Sequence, residues 1–217
     1  MKASDKSDII IDILESLYPN PSIPLNHLND FTFLVAVVLS AQSTDKKVNE
    51  LTPSLFKEAS DPFKMFQLGE MRIYSHIKQL GLSKRKAKYI ARLSEIIYTN
   101  FQCKIPSNLT DLESLPGVGH KTASVVMAQA FGIPTFPVDT HIHRLSQRWG
   151  LTNGKNVVQT EKDLKRIFPK SKWNKLHLQM IFYGREYCTS KGCDGTTCKL
   201  CKTLFPNRSK GIICKKA

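Results

Sequence analysis

The stretch Leu115–Ala123 reads LPGVGHKTA. Just ahead of it, Thr110-x-x-Glu113 has the form of a capping box and predicts a short helix that stops at Pro116-Gly117-Val118-Gly119. Just behind it, Ala123, Val125, Val126 and Met127 supply packing side chains for a second helix from about His120 to Ala130, ended by Gly132. Two glycines one residue apart let the backbone reverse sharply without a Cβ clash. Such a turn leaves amide N–H groups in the second helix's first turn without internal acceptors. Those amides, with the positive end of the helix dipole, can hold a phosphate. Leu115, Gly117, Val118 and Gly119 are therefore candidate contacts to a nucleic-acid backbone, gripping it without reading bases. The plainer reading is a glycine-rich connection between helices.

Helical periodicity continues outward in both directions. Ile10, Ile13, Leu14 and Leu17 form an apolar face on a helix over Ser7–Leu17. Asp30 is placed to cap a helix from Phe31 to about Ala41, apolar nearly all round and so central to a bundle. Thr44 or Asp45 opens another, and Lys84–Thr99 is amphipathic with a basic start. Further helices are expected near Thr140–Trp149, Thr160–Phe168 and Lys172–Tyr187. No segment shows sustained β alternation, which predicts an all-α chain, and no Gly/Ser linker divides it into separate beads.

Composition limits the function. Of 217 residues, 32 are Lys or Arg and 18 are Asp or Glu, a formal net charge of +14. That excess makes a polyanion the leading partner, with nucleic acid ahead of an acidic membrane face. The strongest apolar run, Phe33–Leu39, is far shorter than the roughly 20 residues a membrane span needs. The N-terminal MKASDKSDII lacks the order of a secretion signal, so an intracellular protein is expected.

Five of the six cysteines, Cys188, Cys193, Cys198, Cys201 and Cys214, crowd into the last 30 residues. In a reducing compartment this reads as metal or cluster ligation rather than as disulfides. Cys198-x-x-Cys201 can present two thiolates from one turn to a single iron–sulfur unit or zinc ion.

Two further residues carry chemistry. Lys121 follows the last hairpin glycine by two positions, which puts it beside a bound backbone. As a free amine it can attack a sugar C1′ and form a Schiff base; its commoner use is a phosphate contact. Asp139, in VDTHIHR (Val138–Arg144), is a natural helix N-cap. A carboxylate there can also take a proton from Lys121 or stabilise positive charge on a sugar as its base leaves. His141 and His143 do not share a helix face and are not read as a metal pair.

LPGVGHKTA followed about 20 residues later by VDTHIHR resembles the helix-hairpin-helix, Gly/Pro-rich, aspartate superfamily of DNA glycosylases. With LSAQSTD (Leu39–Asp45), the Gly81-Leu82 turn and the terminal cysteines, the chain is similar to the endonuclease III family from about residue 5 to 201. The resemblance implies two helical lobes. One is a six-helix domain with the hairpin over residues 23–133. The other is built from residues 1–22 and 134–217 and carries an iron–sulfur cluster loop. It implies a bifunctional glycosylase/lyase of base excision repair that removes oxidised pyrimidines. Lys121 would be the nucleophile, and Asp139 would activate it. Gln42 would fill the gap left by an extruded nucleotide, and Leu82 would wedge into the duplex. The partner would be double-stranded DNA with damaged bases or abasic sites, met by a monomer in the bacterial cytoplasm, at the nucleoid. Adenine-excising relatives lack a lysine at this place, so Lys121 favours the oxidised-pyrimidine branch.

The family closes a [4Fe–4S] cluster with C-x6-C-x2-C-x5-C. Here the spacing is Cys188-x9-Cys198-x2-Cys201-x12-Cys214, with Cys193 lying between the first two. Family order favours Cys188, Cys198, Cys201 and Cys214 as ligands. Cys193 in place of Cys214 makes a more compact set, and zinc is the other metal such a set can take. The tail from Gly184 holds eight basic residues against Glu186 and Asp194, which suits phosphate contacts.

Overall fold

The structure is a computed structural model and describes residues 2–217. Every regular element among them is helical, in agreement with the all-α expectation. The chain divides into two compact units, Ile23–Ile133 and Met1–Ser22 with Pro134–Ala217.

The first unit holds six helices: α2 (Asp30–Ser40), α3 (Asp45–Glu58), α4 (Pro62–Ile77), α5 (Ser83–Asn100), α6 (Leu109–Ser114) and α7 (His120–Ala130). Helix α2 is buried from Phe31 to Leu39, as its all-round apolar sequence requires, and it packs against α3, α5 and α7. Its cap is Asn29 rather than the expected Asp30. Asn29 Oδ1 accepts from the Thr32 amide at 2.9 Å. The Thr32 hydroxyl in return accepts from the Asn29 amide at 2.9 Å, a reciprocal box that only registers with Asn29 outside the helix. Helix α6 is likewise capped two residues ahead of the expected Thr110, by Asn108, which accepts from the Asp111 amide.

Helix α4 has no counterpart in the expectations above. Asp61 caps it, Pro62 opens it, and Met65, Ile73 and Ile77 bury inward. Gly69, at φ 74° and ψ 163°, breaks it into two short pieces, so neither has a long periodic run to read.

The second unit contains α1 (Ala3–Leu17), α8 (Thr140–Arg148), α9 (Val157–Ile167), a 3-10 turn (Lys170–Lys172), α10 (Trp173–Glu186) and α11 (Lys199–Leu204). Ile10 and Leu14 of α1 meet a core of Phe136, Leu145, Trp149, Met180 and Tyr183. The Trp149 and Tyr183 rings pack edge to face at 5.7 Å. Helix α9 begins ahead of the expected Thr160 because Asn156 caps it, accepting from Gln159 at 2.8 Å. Among the described residues no helix is long and apolar enough to cross a membrane.

Asn29 also donates through Nδ2 to Ser60 O at 2.9 Å, so it ties the start of α2 to the chain entering α4. Asn29→Ala is expected to lower unfolding free energy by about 1–2 kcal/mol. A urea midpoint that falls with an unchanged m-value is the measurement.

Candidate functional site

In the first unit the hairpin is closed by a type II turn. Val118 N–H donates to Leu115 O at 3.0 Å, Pro116 sits at the second position and Gly117 takes φ 81° at the third. A Cβ on Gly117 would lie 2.7 Å from Tyr89 Cδ2, so the residue must be glycine for space as well as for conformation. Arg85 donates to Tyr89 Oη at 2.6 Å and lies over its ring, which holds the tyrosine under the turn. Leu115 and Val118 point their side chains into the core. What they can offer a ligand is backbone.

Helix α7 starts at Gly119, so no cap side chain accepts from its first-turn amides. A Cβ at Gly119 would meet nothing within 4 Å. Lys121 is exposed in that first turn, beside His120, whose Nδ1 is 2.9 Å from Glu113 Oε1.

Two other loops of this unit touch. Gln42, just past α2, and Leu82, the residue before α5, both take left-handed conformations, at φ 55° and 60°. Both are exposed. Leu82 is 51% accessible and is not a core leucine. The Cβ position of Gly81 lies 3.4 Å from Gln42 O. Lys86, 4% accessible, donates from Nζ to Ser43 Oγ at 2.8 Å.

In the second unit Asp139 caps α8, with Oδ1 accepting from the Ile142 amide at 2.8 Å. His143 is buried with Nδ1 at 2.8 Å from Thr160 Oγ1, and Arg144 donates to Gly184 O and Cys188 O.

The sulfurs of Cys188, Cys193, Cys198 and Cys201 all lie within 4.8 Å of one another. This departs from the set favoured by family order: it is Cys193, and not Cys214, whose sulfur stands with those of Cys188, Cys198 and Cys201. The reason is where the tail is pinned. Ile212 N–H donates to Asp194 O at 2.7 Å, and Lys215 N–H donates to Gln147 Oε1 at 2.8 Å. The Cys214 thiol is thereby turned to Arg144 O, at 3.7 Å. The longer loop between Cys188 and Cys198 folds instead to bring Cys193 inward.

The thiols carry the marks of a shared site. The Cys198 sulfur, with burial adding, pushes Cys188 up to about 12. Bonds from Cys188 and Cys201 hold Cys198 far below its usual range, while Cys188, Cys198 and burial push Cys201 up. Four crowded, mostly buried sulfurs cannot all ionise without a compensating cation, so the donor set fits a thiophilic metal or cluster. Sequence reasoning missed the donors around it. Arg148, 4% accessible, donates to Cys188 Sγ at 3.3 Å and to Thr189 O at 2.8 Å. Gly195 N–H donates to Cys193 Sγ at 3.4 Å.

Residues 35–170 match the model of the HhH-GPD superfamily, base excision DNA repair proteins. The chain is 42% identical over 191 residues to endonuclease III of Treponema pallidum, covering 88% of this chain and 90% of that one. It belongs to the endonuclease III family. It is accordingly an enzyme of base excision DNA repair, a DNA glycosylase and apurinic/apyrimidinic lyase. Endonuclease III of Bacillus subtilis is 36% identical over 210 residues, 95% of this chain and 96% of that one. Among solved structures, an endonuclease III trapped as a covalent intermediate with DNA, in an estranged-adenine complex, superposes with a TM-score of 0.86. It is 35% identical and covers 92% of this chain and 94% of its own. A thermostable thymine-DNA glycosylase, 19% identical with a TM-score of 0.78, shares the fold.

The cysteine geometry gives a direct expectation. Cys193→Ser purified under anaerobic conditions should lose most of its bound metal, and Cys214→Ser should retain it. Metal analysis per chain reads the outcome, and the reverse pattern would restore Cys214 to the ligand set.

Proposed function

We propose that this chain excises oxidised pyrimidines from duplex DNA and then cleaves the strand 3′ to the resulting site, working as a monomer. The observation that carries the reading is Lys121, an exposed amine in the first turn of a helix whose N-cap is glycine. The hairpin amides hold a backbone phosphate there, which delivers the neighbouring sugar to the amine.

A base within the stack cannot be reached at C1′, so the nucleotide leaves the duplex first, and a damaged base unstacks at lower cost. Gln42 occupies the vacated space and Leu82 presses into the duplex beside it. The Lys121 Nζ lone pair attacks C1′. The bond from C1′ to the base breaks, and the base leaves with that electron pair and takes a proton. Asp139 receives the proton that Nζ gives up. Ring opening yields a protonated imine between Nζ and C1′. The imine draws electrons from C2′ as its proton is lost, and the 3′ phosphate departs by β-elimination. Water then hydrolyses the imine and regenerates the amine. A relative captured as a covalent intermediate with DNA supports a reaction of this type.

Cys188, Cys193, Cys198 and Cys201 would hold the cofactor, read here as a [4Fe–4S] cluster. When bound, the cluster ties the loop from Cys188 to Cys201 into one rigid unit. Zinc is the second reading, and one distance favours it. Cys188 and Cys201 sulfurs are 4.0 Å apart, near the roughly 3.8 Å edge of a zinc tetrahedron with 2.3 Å bonds. About four irons and four sulfides per chain support the cluster; one zinc per chain supports the alternative.

Borohydride reduction should trap a covalent adduct between the chain and duplexes carrying thymine glycol or an abasic site. Lys121→Ala should abolish trapping, and adduct that persists in this variant would remove Lys121 from its role. Asp139→Asn should lower single-turnover excision by about 10²- to 10⁴-fold. Because Asp139 also caps α8, its melting temperature is measured alongside; intact turnover would end the activation argument.

A further inference from the structure

Lys86 stands out among the basic residues of the first unit. It lies one turn into α5, and its exposure is 4%, against the open Lys84, Arg85 and Lys88 around it. An ammonium carries three donors and is costly to bury without an opposite charge. Among the described residues Lys86 has no carboxylate partner. Its side chain donates to a serine hydroxyl, Ser43 Oγ, at 2.8 Å. Burial holds its amine below the ordinary lysine range. A buried amine of this kind does not touch phosphate, so the usual use of a basic residue in a DNA enzyme does not account for it.

What it touches does. The Lys86 main-chain amide donates to Leu82 O at 2.9 Å, and its side chain reaches the residue next to Gln42. Ser43 is in turn fixed to the end of α2, its amide donating to Ser40 O at 3.0 Å. Gln42 and Leu82 both hold left-handed backbones that cost free energy in residues other than glycine. Such conformations persist only where neighbouring groups leave no alternative.

We propose that Lys86 is a positioning residue that pins the Gln42 loop to the Leu82 turn, so that both side chains are held in place before DNA arrives. This rests on the reading of Gln42 and Leu82 as the residues that enter the duplex. The pin acts on nucleotide extrusion, and the sugar chemistry at Lys121 does not pass through it.

The test separates those two stages in the full, cofactor-loaded chain. One arm measures single-turnover excision from a duplex carrying thymine glycol, which requires the base to be unstacked. The other measures strand cleavage at a preformed abasic site, where there is no base to unstack. Lys86→Met should lower excision by roughly tenfold or more while abasic-site cleavage stays within about threefold of wild type. Ser43→Ala, which removes the acceptor without touching the buried amine, should shift the ratio in the same direction. The double variant should be no worse than Lys86→Met alone.

If both activities fall together, or neither falls, Lys86 serves only the fold and the proposal is overturned. Should Lys86→Met fail to fold, Ser43→Ala decides alone, and an unchanged ratio there overturns it equally. Leu82→Ala is the control for the parent reading. If Leu82→Ala leaves the ratio at the wild-type value, the loops do not extrude bases and Lys86 falls with them. If it shifts the ratio while Ser43→Ala and Lys86→Met do not, the loop reading stands and only the pin is lost.

Discussion

A helix begins with amides that its own turns cannot satisfy, and each helix must find acceptors for them. In the first unit, four helices find them in a side chain of their own. Asn29, Thr44, Asp61 and Asn108 each accept from the amide three residues on. The remaining two do not. Helix α5 starts at Leu82 and α7 at Gly119, and neither residue has a cap bond to give. The two uncapped starts are the two places where the chain puts Leu82 and the hairpin. Stability that a serine or asparagine would have supplied, about 1 kcal/mol each, is forgone at both places, the two that the proposed function assigns to DNA contact.

The second unit solves a different problem, crowding of like groups. Four sulfurs within 4.8 Å of one another can all ionise only with cationic compensation. Arg148 supplies a fixed part of it. Its guanidinium reaches the Cys188 sulfur and the carbonyls of Cys188 and Thr189 at once, so one side chain both offsets charge and shapes the first turn of the loop. Arg208 donates to Arg148 O and Gly195 O, and lies over the Phe205 ring. The tail after Cys201 is therefore held by hydrogen bonds to α8 and to the cysteine loop. Cys214 lies in that tail, with its thiol turned to Arg144 O.

How far the sequence discloses this depends on whether a feature is local. Helix identity is local, and α2, α5 and α7 were legible because their apolar spacing or turn residues repeat within a few positions. Helix α4 was not, since Gly69 cuts its period before it can register. Asn29 and Asp30 are equivalent as cap residues on paper; Thr32, which bonds back to Asn29, breaks the tie only once the geometry is known. The cysteines show the limit most plainly. Spacing ranks Cys214 by order along the chain, whereas which sulfurs gather depends on where the loop and tail are pinned. Gln147, which pins Lys215, gives no sign of that role in sequence. The residues proposed to react lie between these cases: Lys121 and Asp139 are conspicuous through their motifs, and motif position says nothing about how either amine or carboxylate is used.

The strained backbones at Gln42 and Leu82 bear on the same issue of local and non-local control. A left-handed residue other than glycine costs about 1–2 kcal/mol, and nothing in either residue's own side chain returns it. The chain has glycine directly before Leu82 and uses it for closeness, with the Gly81 Cβ position against Gln42 O at 3.4 Å. The strain itself is borne by the residues with side chains. A glycine at either left-handed position would relieve the cost. A glycine would have no side chain for the insertion proposed above, however, and a relaxed loop would not hold what it carried in one direction. Strain and exposure alone do not mark such a pair, since Gln102 and Cys103 between α5 and α6 show both; what sets Gln42 and Leu82 apart is the buried lysine that joins their loops, which suits the preorganised pair proposed above.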